Sequence, residues 1–279
     1  MTKRYRAAVL AATGAVGQRF VSLLEDHPWF EVAVVTGSER SAGRRYADAV
    51  NWVMPGSIPE AERDLTVQPT TVEAPGEVDL VFSALPSSVA REVEPRLAEA
   101  GYAVCTNASA HRMAEDVPLL IPEINPDHVG LIDAQRARRG WPGLLVASPN
   151  CSTTAIIFPL KALQDAFGLR AVHVVTLQAI SGAGYPGVAS LDSLDNVLPY
   201  ISGEEEKVEA EPRKLLGALH DGAIRPARVA ISAQTNRVPV MDGHMGVLSA
   251  ALEQPAGIDA VRDALRAWQP PAEIAALPS

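Results

Sequence analysis

The chain has 279 residues, 47% hydrophobic and 20% charged, with a net charge of −9. That length suits two domains, or one large one, with a core that needs no disulfide or metal, and the composition excludes disorder. The acidic balance argues against a nucleic-acid or polyanion partner but leaves room for a local basic pocket.

No apolar run approaches the roughly 18 residues of a membrane span. The opening MTKRYRAAVL breaks at Thr13-Gly14, so it reads as a first strand and not as a signal peptide. Two cysteines, Cys105 and Cys151, make no disulfide framework, and a reducing, cytoplasmic location is expected.

Tyr5–Ala12 is a short apolar run with the pattern of a buried strand. A tight turn through Gly14 and Gly17 follows. Val16, Phe20, Leu23 and Leu24 then recur at helical spacing until Pro28 approaches, and Glu31–Thr36 is a second strand. Strand, helix and strand make a βαβ unit. Residues 46–77 are rich in Pro, Gly and Thr and show no period. Val78–Leu85, Val89–Ala100 and Tyr102–Thr106 repeat the strand–helix–strand pattern, and Leu144–Ala147 adds a strand.

The alternation predicts an α/β fold: a Rossmann-like, doubly wound parallel sheet in residues 1–149, with an α+β domain in 150–279. In that second part Ile156, Leu160, Leu163 and Phe167 share a helix face, where Pro159 predicts a kink or a boundary. Val172–Gln178, Arg237–Val240 and Met245–Leu252 read as strands. Between them lie a Gly-rich stretch, 181–187, and an acidic run, 203–211.

A strand–turn–helix with paired glycines leaves backbone N–H groups free at a helix N-terminus, which suits a pyrophosphate. Thr13, Gly14, Ala15, Val16 and Gly17 are the candidates, although a plain helix-capping turn would look the same. After the second strand, Ser38, Arg40 and Ser41 offer donors for a 2′-phosphate and favour NADP over NAD; Glu39 dissents, and a solvated loop reads the same.

Cys151 sits between a strand end and a helix start, among Asn150, Ser152, Thr153 and Thr154. A helix N-terminus stabilises a thiolate, so Cys151 is a candidate nucleophile. Cys105, in mid-strand, fits the alternative of a small buried hydrophobe. Among six histidines His244 stands out, leaving an Asp-Gly turn; His27, His128 and His220 read as surface groups. Arg112, Lys214 and Arg237 are candidate anion binders, although each judged singly reads as a surface cation. Glu204-Glu205-Glu206 reads as a solvated helix start and not a site. No metal-ligand spacing is found.

Taken together, AATGAVGQRF, SERSAGRRY, VFSALPSSVA, LLIPEINPDH, SPNCSTT, TLQAISGAGYPGV, LDNVLPYISGEEEKVEAEPRKLLG and RVPVMDGH resemble the aspartate-semialdehyde dehydrogenase family in its archaeal and fungal branch. The resemblance implies NADPH-dependent reductive dephosphorylation of L-aspartyl 4-phosphate through a cysteine thioester, a step toward lysine, threonine and methionine. It implies Cys151 as nucleophile, Gln178 as the group orienting the acyl carbon and His244 as acid/base. It implies Arg237 on the substrate carboxylate, Glu211 on its ammonium, and Lys214, Arg112 and Asn150 around phosphate. Ser83, Leu85, Pro86 and Asn107 would line the cofactor groove, with Ser181 and Gly182 near the nicotinamide. The expected partners are a small acyl phosphate, inorganic phosphate and a second copy of the chain, in a homodimer or homotetramer, with the catalytic domain serving dimerisation; no nucleic acid, membrane or metal is expected.

Three departures stand against the family pattern. Ala11 replaces the usual first glycine, Pro212 replaces a threonine, and the chain ends at Ala276-Leu277-Pro278-Ser279, where relatives begin a further segment carrying an Asn-Gly-Met stretch. A C-terminally truncated chain with an open sheet edge is the expectation. The alternatives are a paralogous acyl-phosphate or acyl-CoA reductase, such as a malonyl-CoA reductase, and a truncated, inactive NADP-binding homologue. Glu211 favours an amino acid substrate, since a malonyl group has no ammonium.

Overall fold

The computed structural model describes residues 4–278. The chain forms two compact units, Met1–Pro118 with Ile132–Ser148, and Leu119–Leu131 with Pro149–Ser279. A single division after residue 149 therefore misses one excursion. Residues 119–131 belong with the second unit because buried His128 turns its Nε2 to the Gly217 carbonyl at 3.1 Å while its Nδ1 meets the Asn125 amide at 2.8 Å. His128 is thus a core group and not a surface one.

The first unit runs β1 (Tyr5–Leu10), α1 (Ala15–Leu24), β2 (Phe30–Gly37), α2 (Tyr46–Ala49), β3 (Gln68–Pro69), β4 (Leu80–Ser83), α3 (Ser87–Glu99), β5 (Ala103–Thr106), α4 (Leu131–Arg139) and β6 (Leu144–Ala147). The sheet order is β3-β2-β1-β4-β5-β6, and every pair is parallel. Strands covered on both faces need continuous apolar runs, and Ala7–Leu10 is fully buried.

Helix α1 buries Gly17, Gln18, Val21 and Leu24, while Val16 and Leu23 face solvent. This is one position round from the stripe that the apolar spacing suggests. Gly17 decides it: a Cβ there would lie 2.3 Å from the Ala11 carbonyl oxygen, so only glycine lets the first turn rest on the end of β1. Gln18 is tolerated inside because its amide donates to the carbonyls of Thr13 and Asn51 and accepts from the N–H of Val53.

The stretch 46–77, without period in the sequence, is anchored by long-range contacts. Tyr46 is fully buried and donates to the Ala12 carbonyl at 2.8 Å, and Val67 packs into the same core as Val9, Val21 and Val35. Beneath β4 and β5, fully buried Glu94 accepts from Ser83 Oγ at 2.7 Å and Thr106 Oγ1 at 2.5 Å, tying the two strand ends together. Cys105 lies half-buried in β5, and burial pushes its thiol up to about 11.

The second unit runs α5 (Cys151–Phe167), β7 (Leu169–Gln178), α6 (Ser190–Ser193), β8 (Leu198–Pro199), α7 (Glu204–Leu215), β9 (Ala218–His220), β10 (Ala223–Arg225), β11 (Ala230–Arg237), β12 (Met245–Leu252), α8 (Ile258–Ala267) and α9 (Ala272–Ala275). Its main sheet has the order β12-β7-β11-β8, with β7 and β11 parallel and the outer pairs antiparallel. Helix α5 is unbroken through Pro159, which marks no boundary, and α7 continues through Pro212. Arg237 ends a strand instead of beginning one, so the expected strand 237–240 is a loop that returns toward β12. Its residues Val238-Pro239 interrupt the pattern because proline cannot donate to a sheet ladder.

Candidate active site

Asn150 caps α5, its Oδ1 accepting from the N–H groups of Ser152 (2.8 Å) and Thr153 (3.3 Å). Cys151 is therefore the first residue of the helix, where the aligned peptide dipoles favour a negative sulfur. It is exposed, and its Sγ lies 3.1 Å from His244 Nε2. The other ring nitrogen, Nδ1, accepts from the Ala179 N–H at 3.1 Å. The carbonyl of the same residue, in the next peptide group, accepts from Arg237 Nη1 at 2.8 Å. Gly182 fits against both side chains: a Cβ there would be 2.8 Å from Arg237 Nη1 and 3.1 Å from His244 Cε1.

The charges follow from this packing. Burial draws the His244 imidazole below its ordinary value and the Arg237 charge adds to that, against Glu204 and Asp242. Burial also lowers Arg237, opposed by Glu204 and Cys151.

Helix α7 approaches through three side chains. The Asn150 N–H donates to Glu211 Oε2 at 2.6 Å, and Asn150 Nδ2 donates to Glu204 Oε2 at 2.8 Å. Lys207 Nζ donates to Glu204 Oε1 at 2.6 Å. Glu204 is thus no solvated helix start; its side chain is 12% exposed. Burial pushes its carboxyl up, but hydrogen bonds from Lys207, Asn150 and Gln178 hold it below the ordinary range. The sequence carried a faint signal for it: Glu204 and Glu211 are two helical turns apart, hence on one face. Gln178 and Lys214 are buried in the same unit.

The second unit therefore gathers Cys151, His244, Gln178, Arg237, Asn150 and Glu211, to which the structure adds Glu204 and the Ala179 peptide. Ser181 and Gly182 lie in a short helical turn of this unit. The dinucleotide candidates belong to the first unit. Gly14 caps α1 without a side-chain partner, and Thr13–Gly17 form the turn after β1. Ser38 and Arg40 are exposed and Ser41 is buried beyond β2. Ser83, Leu85, Pro86 and Asn107 follow the ends of β4 and β5. Arg112, buried, donates to the Asn107 carbonyl at 2.7 Å in that unit. Among the described residues no cluster of three metal-ligating side chains occurs, and no helix is long and apolar enough to cross a membrane.

A parallel dinucleotide-type sheet, joined in one chain to a unit with a hydrogen-bonded cysteine and histidine, belongs with the dinucleotide-dependent oxidoreductases. Residues 6–132 match the family description "Semialdehyde dehydrogenase, NAD binding domain", and residues 160–278 match "Semialdehyde dehydrogenase, dimerisation domain". An aspartate-semialdehyde dehydrogenase of Archaeoglobus fulgidus is 48% identical over 267 residues, covering 96% of this chain and 77% of the relative. One from Methanothermobacter thermautotrophicus is 50% identical over 257 residues, covering 92% and 74%. The crystal structure of aspartate semialdehyde dehydrogenase with NADP from Candida albicans superposes with a TM-score of 0.89 at 41% identity, covering 97% of this chain and 78% of that one. The chain belongs to the aspartate-semialdehyde dehydrogenase family.

Proposed function

We propose that the chain reduces L-aspartyl 4-phosphate to L-aspartate 4-semialdehyde with NADPH, releasing phosphate, and catalyses the reverse. The observation that carries this reading is Cys151 Sγ at 3.1 Å from His244 Nε2, at the capped start of α5. Family membership and the NADP-bound structural relative support it.

The first unit fits a dinucleotide. Its glycine turn brings α1 directly onto β1, since a Cβ at Gly17 would fill that space, and the N-cap of α1 has no side-chain partner. Residues 13–17 would hold the pyrophosphate, with Ser38, Arg40 and Ser41 toward a 2′-phosphate and Ser83, Leu85, Pro86 and Asn107 along the groove. When bound, the reduced cofactor supplies hydride to the acyl carbon.

The chain's own residues do the rest. The Cys151 thiolate attacks the acyl carbon; a C–S bond forms, the C–O bond to phosphate breaks, and the electron pair leaves with phosphate, which takes a proton from solvent. Arg237 orients the substrate carboxylate, and a carboxylate of α7, Glu211 or the newly placed Glu204, meets the ammonium. Lys214 meets the phosphate, and Gln178 orients the carbonyl. His244 assists at the oxyanion through Nε2 before the C–S pair returns to sulfur. A positioned donor to a developing oxyanion is worth about 10²–10³-fold.

The second unit serves self-association. Val175 and Val247 pair across β7 and β12, and with Met245 they leave an exposed apolar strip on the sheet. A homodimer or homotetramer through this face is our reading, in keeping with the matched dimerisation domain. The cytoplasm is the proposed location, in keeping with two free thiols.

The test is phosphate-dependent oxidation of aspartate semialdehyde with NADP by the 279-residue chain. Turnover that requires phosphate and vanishes in Cys151→Ala is expected. Full activity in Cys151→Ala overturns the reading.

A further inference from the structure

The His244 ring is held by a group that cannot change its role. A backbone N–H only donates, so the Ala179 N–H, 3.1 Å from Nδ1, requires a lone pair on that nitrogen. A neutral imidazole with Nδ1 unprotonated carries its proton on Nε2, the atom 3.1 Å from Cys151 Sγ. An imidazolium would set an Nδ1–H against the Ala179 N–H.

We propose that Ala179 is a positioning residue whose N–H fixes His244 as the neutral Nε2–H tautomer, so that the ring donates a hydrogen bond to the Cys151 thiolate and never takes the thiol proton. Cys151 ionises by losing its proton to solvent, with no change on the ring. The same Nε2–H is then free to donate to the oxyanion once sulfur is acylated.

Three further observations bear on it. The peptide that carries the Ala179 N–H cannot readily turn, because its carbonyl, that of Gln178, accepts from the Val238 N–H at 3.0 Å. The next peptide is held too, the Ala179 carbonyl accepting from Arg237 Nη1 at 2.8 Å and from the Gly182 N–H at 3.2 Å. Burial of the ring and the neighbouring Arg237 both oppose a charged imidazole. Thiolate stabilisation also has other sources in place, the start of α5 and the Arg237 charge. The remaining charged groups around the pair are Glu204 with its partner Lys207, Asp242 in the returning loop, and Glu211 behind Asn150. Of these, Glu204 and Asp242 favour an imidazolium, and they act against the fixed donor at Nδ1.

The inference rests on the reading of Cys151 as nucleophile, and its test separates the two. Long-range nitrogen–proton correlation spectra of the whole chain, labelled with nitrogen-15 histidine and assigned through His244→Gln, report the tautomer. Nδ1 unprotonated and Nε2 protonated at neutral pH is the expected result. Nδ1 protonated, whether as the other tautomer or as imidazolium, overturns the inference while leaving Cys151 catalysis untouched. Iodoacetamide alkylation of Cys151 against pH gives the second readout. His244→Gln, whose amide can still donate, should keep the thiolate fraction within about threefold, and His244→Ala should lower it roughly tenfold. An equal, hundredfold loss in both variants would signal a thiolate–imidazolium pair and overturn the proposal. Full turnover in Cys151→Ala would instead sink the reading of the nucleophile and leave the tautomer result standing.

Discussion

Gly182→Ala tests whether the geometry around His244 and Arg237 matters as the structure indicates. The added Cβ would stand 2.8 Å from Arg237 Nη1, 3.1 Å from His244 Cε1 and 3.2 Å from His244 Nε2. Ordinary carbon contacts are about 3.5–4.0 Å, so the guanidinium must retreat by about 1 Å and the ring by somewhat less. Both are side-chain ends, so the fold accommodates the change, and stability should move by less than about 1 kcal/mol. Function is less tolerant, because a misplacement of about 1 Å costs on the order of 10²-fold, or about 2.7 kcal/mol of transition-state stabilisation. We therefore expect kcat/KM for semialdehyde oxidation to fall on the order of 10²-fold, with the melting temperature nearly unchanged. Gly257→Ala is the control, since nothing lies within 4 Å of its added Cβ. A Gly182→Ala enzyme with native kcat/KM would show that neither Arg237 nor His244 needs the position described.

Three other predictions follow from separate contacts. Gly17→Ala brings a Cβ to 2.3 Å from the Ala11 carbonyl oxygen and 2.6 Å from Ala12 Cα, both backbone, so α1 must lift from β1. A loss of roughly 3 kcal/mol with weakened NADP binding should appear in urea unfolding and cofactor titration, and an unchanged urea midpoint would refute it. Glu204→Gln removes the carboxylate that Arg237 and His244 feel most directly among those of α7. If it meets the substrate ammonium, discrimination against a des-amino semialdehyde should fall about tenfold, whereas a purely structural role would lower both substrates equally. His128, buried and neutral, has its protonation depressed below 6.5 by burial. Below about 6.5 the unfolded chain binds a proton there that the folded chain does not, so stability falls with falling pH by up to about 1.4 kcal/mol per pH unit. His128→Gln should flatten that fall by about one proton's worth between pH 6.5 and 5, measured by chemical denaturation at each pH. An unchanged slope would show that His128 titrates alike in both states.

Much of the candidate site was legible because its signals are local. A strand ending in Ser-Pro-Asn before Cys151 announces a helix start, and an Asp-Gly turn marks where His244 leaves a loop. Apolar runs announced β1, β4 and β6, since strands buried on both faces have no polar alternation to blur them. The stretch from Tyr46 was illegible for the opposite reason: its order comes from Tyr46 reaching Ala12 and Val67 reaching the β1–β2 core, contacts its own pattern does not encode.

Sequence alone determined the alternation of the main strands and helices of the first unit and the residues able to do thiol chemistry, because both depend on neighbours within a turn or a strand. Tertiary structure decided which face of α1 is buried, since only packing on Ala11 reveals that Gly17 must point inward. It also drew Glu204 from an acidic run into the site and His128 into the core. The Ala179 amide acquired its hold on His244 in the same way, because a hydrogen-bond partner 65 residues away is chosen by the fold and not by the residue itself.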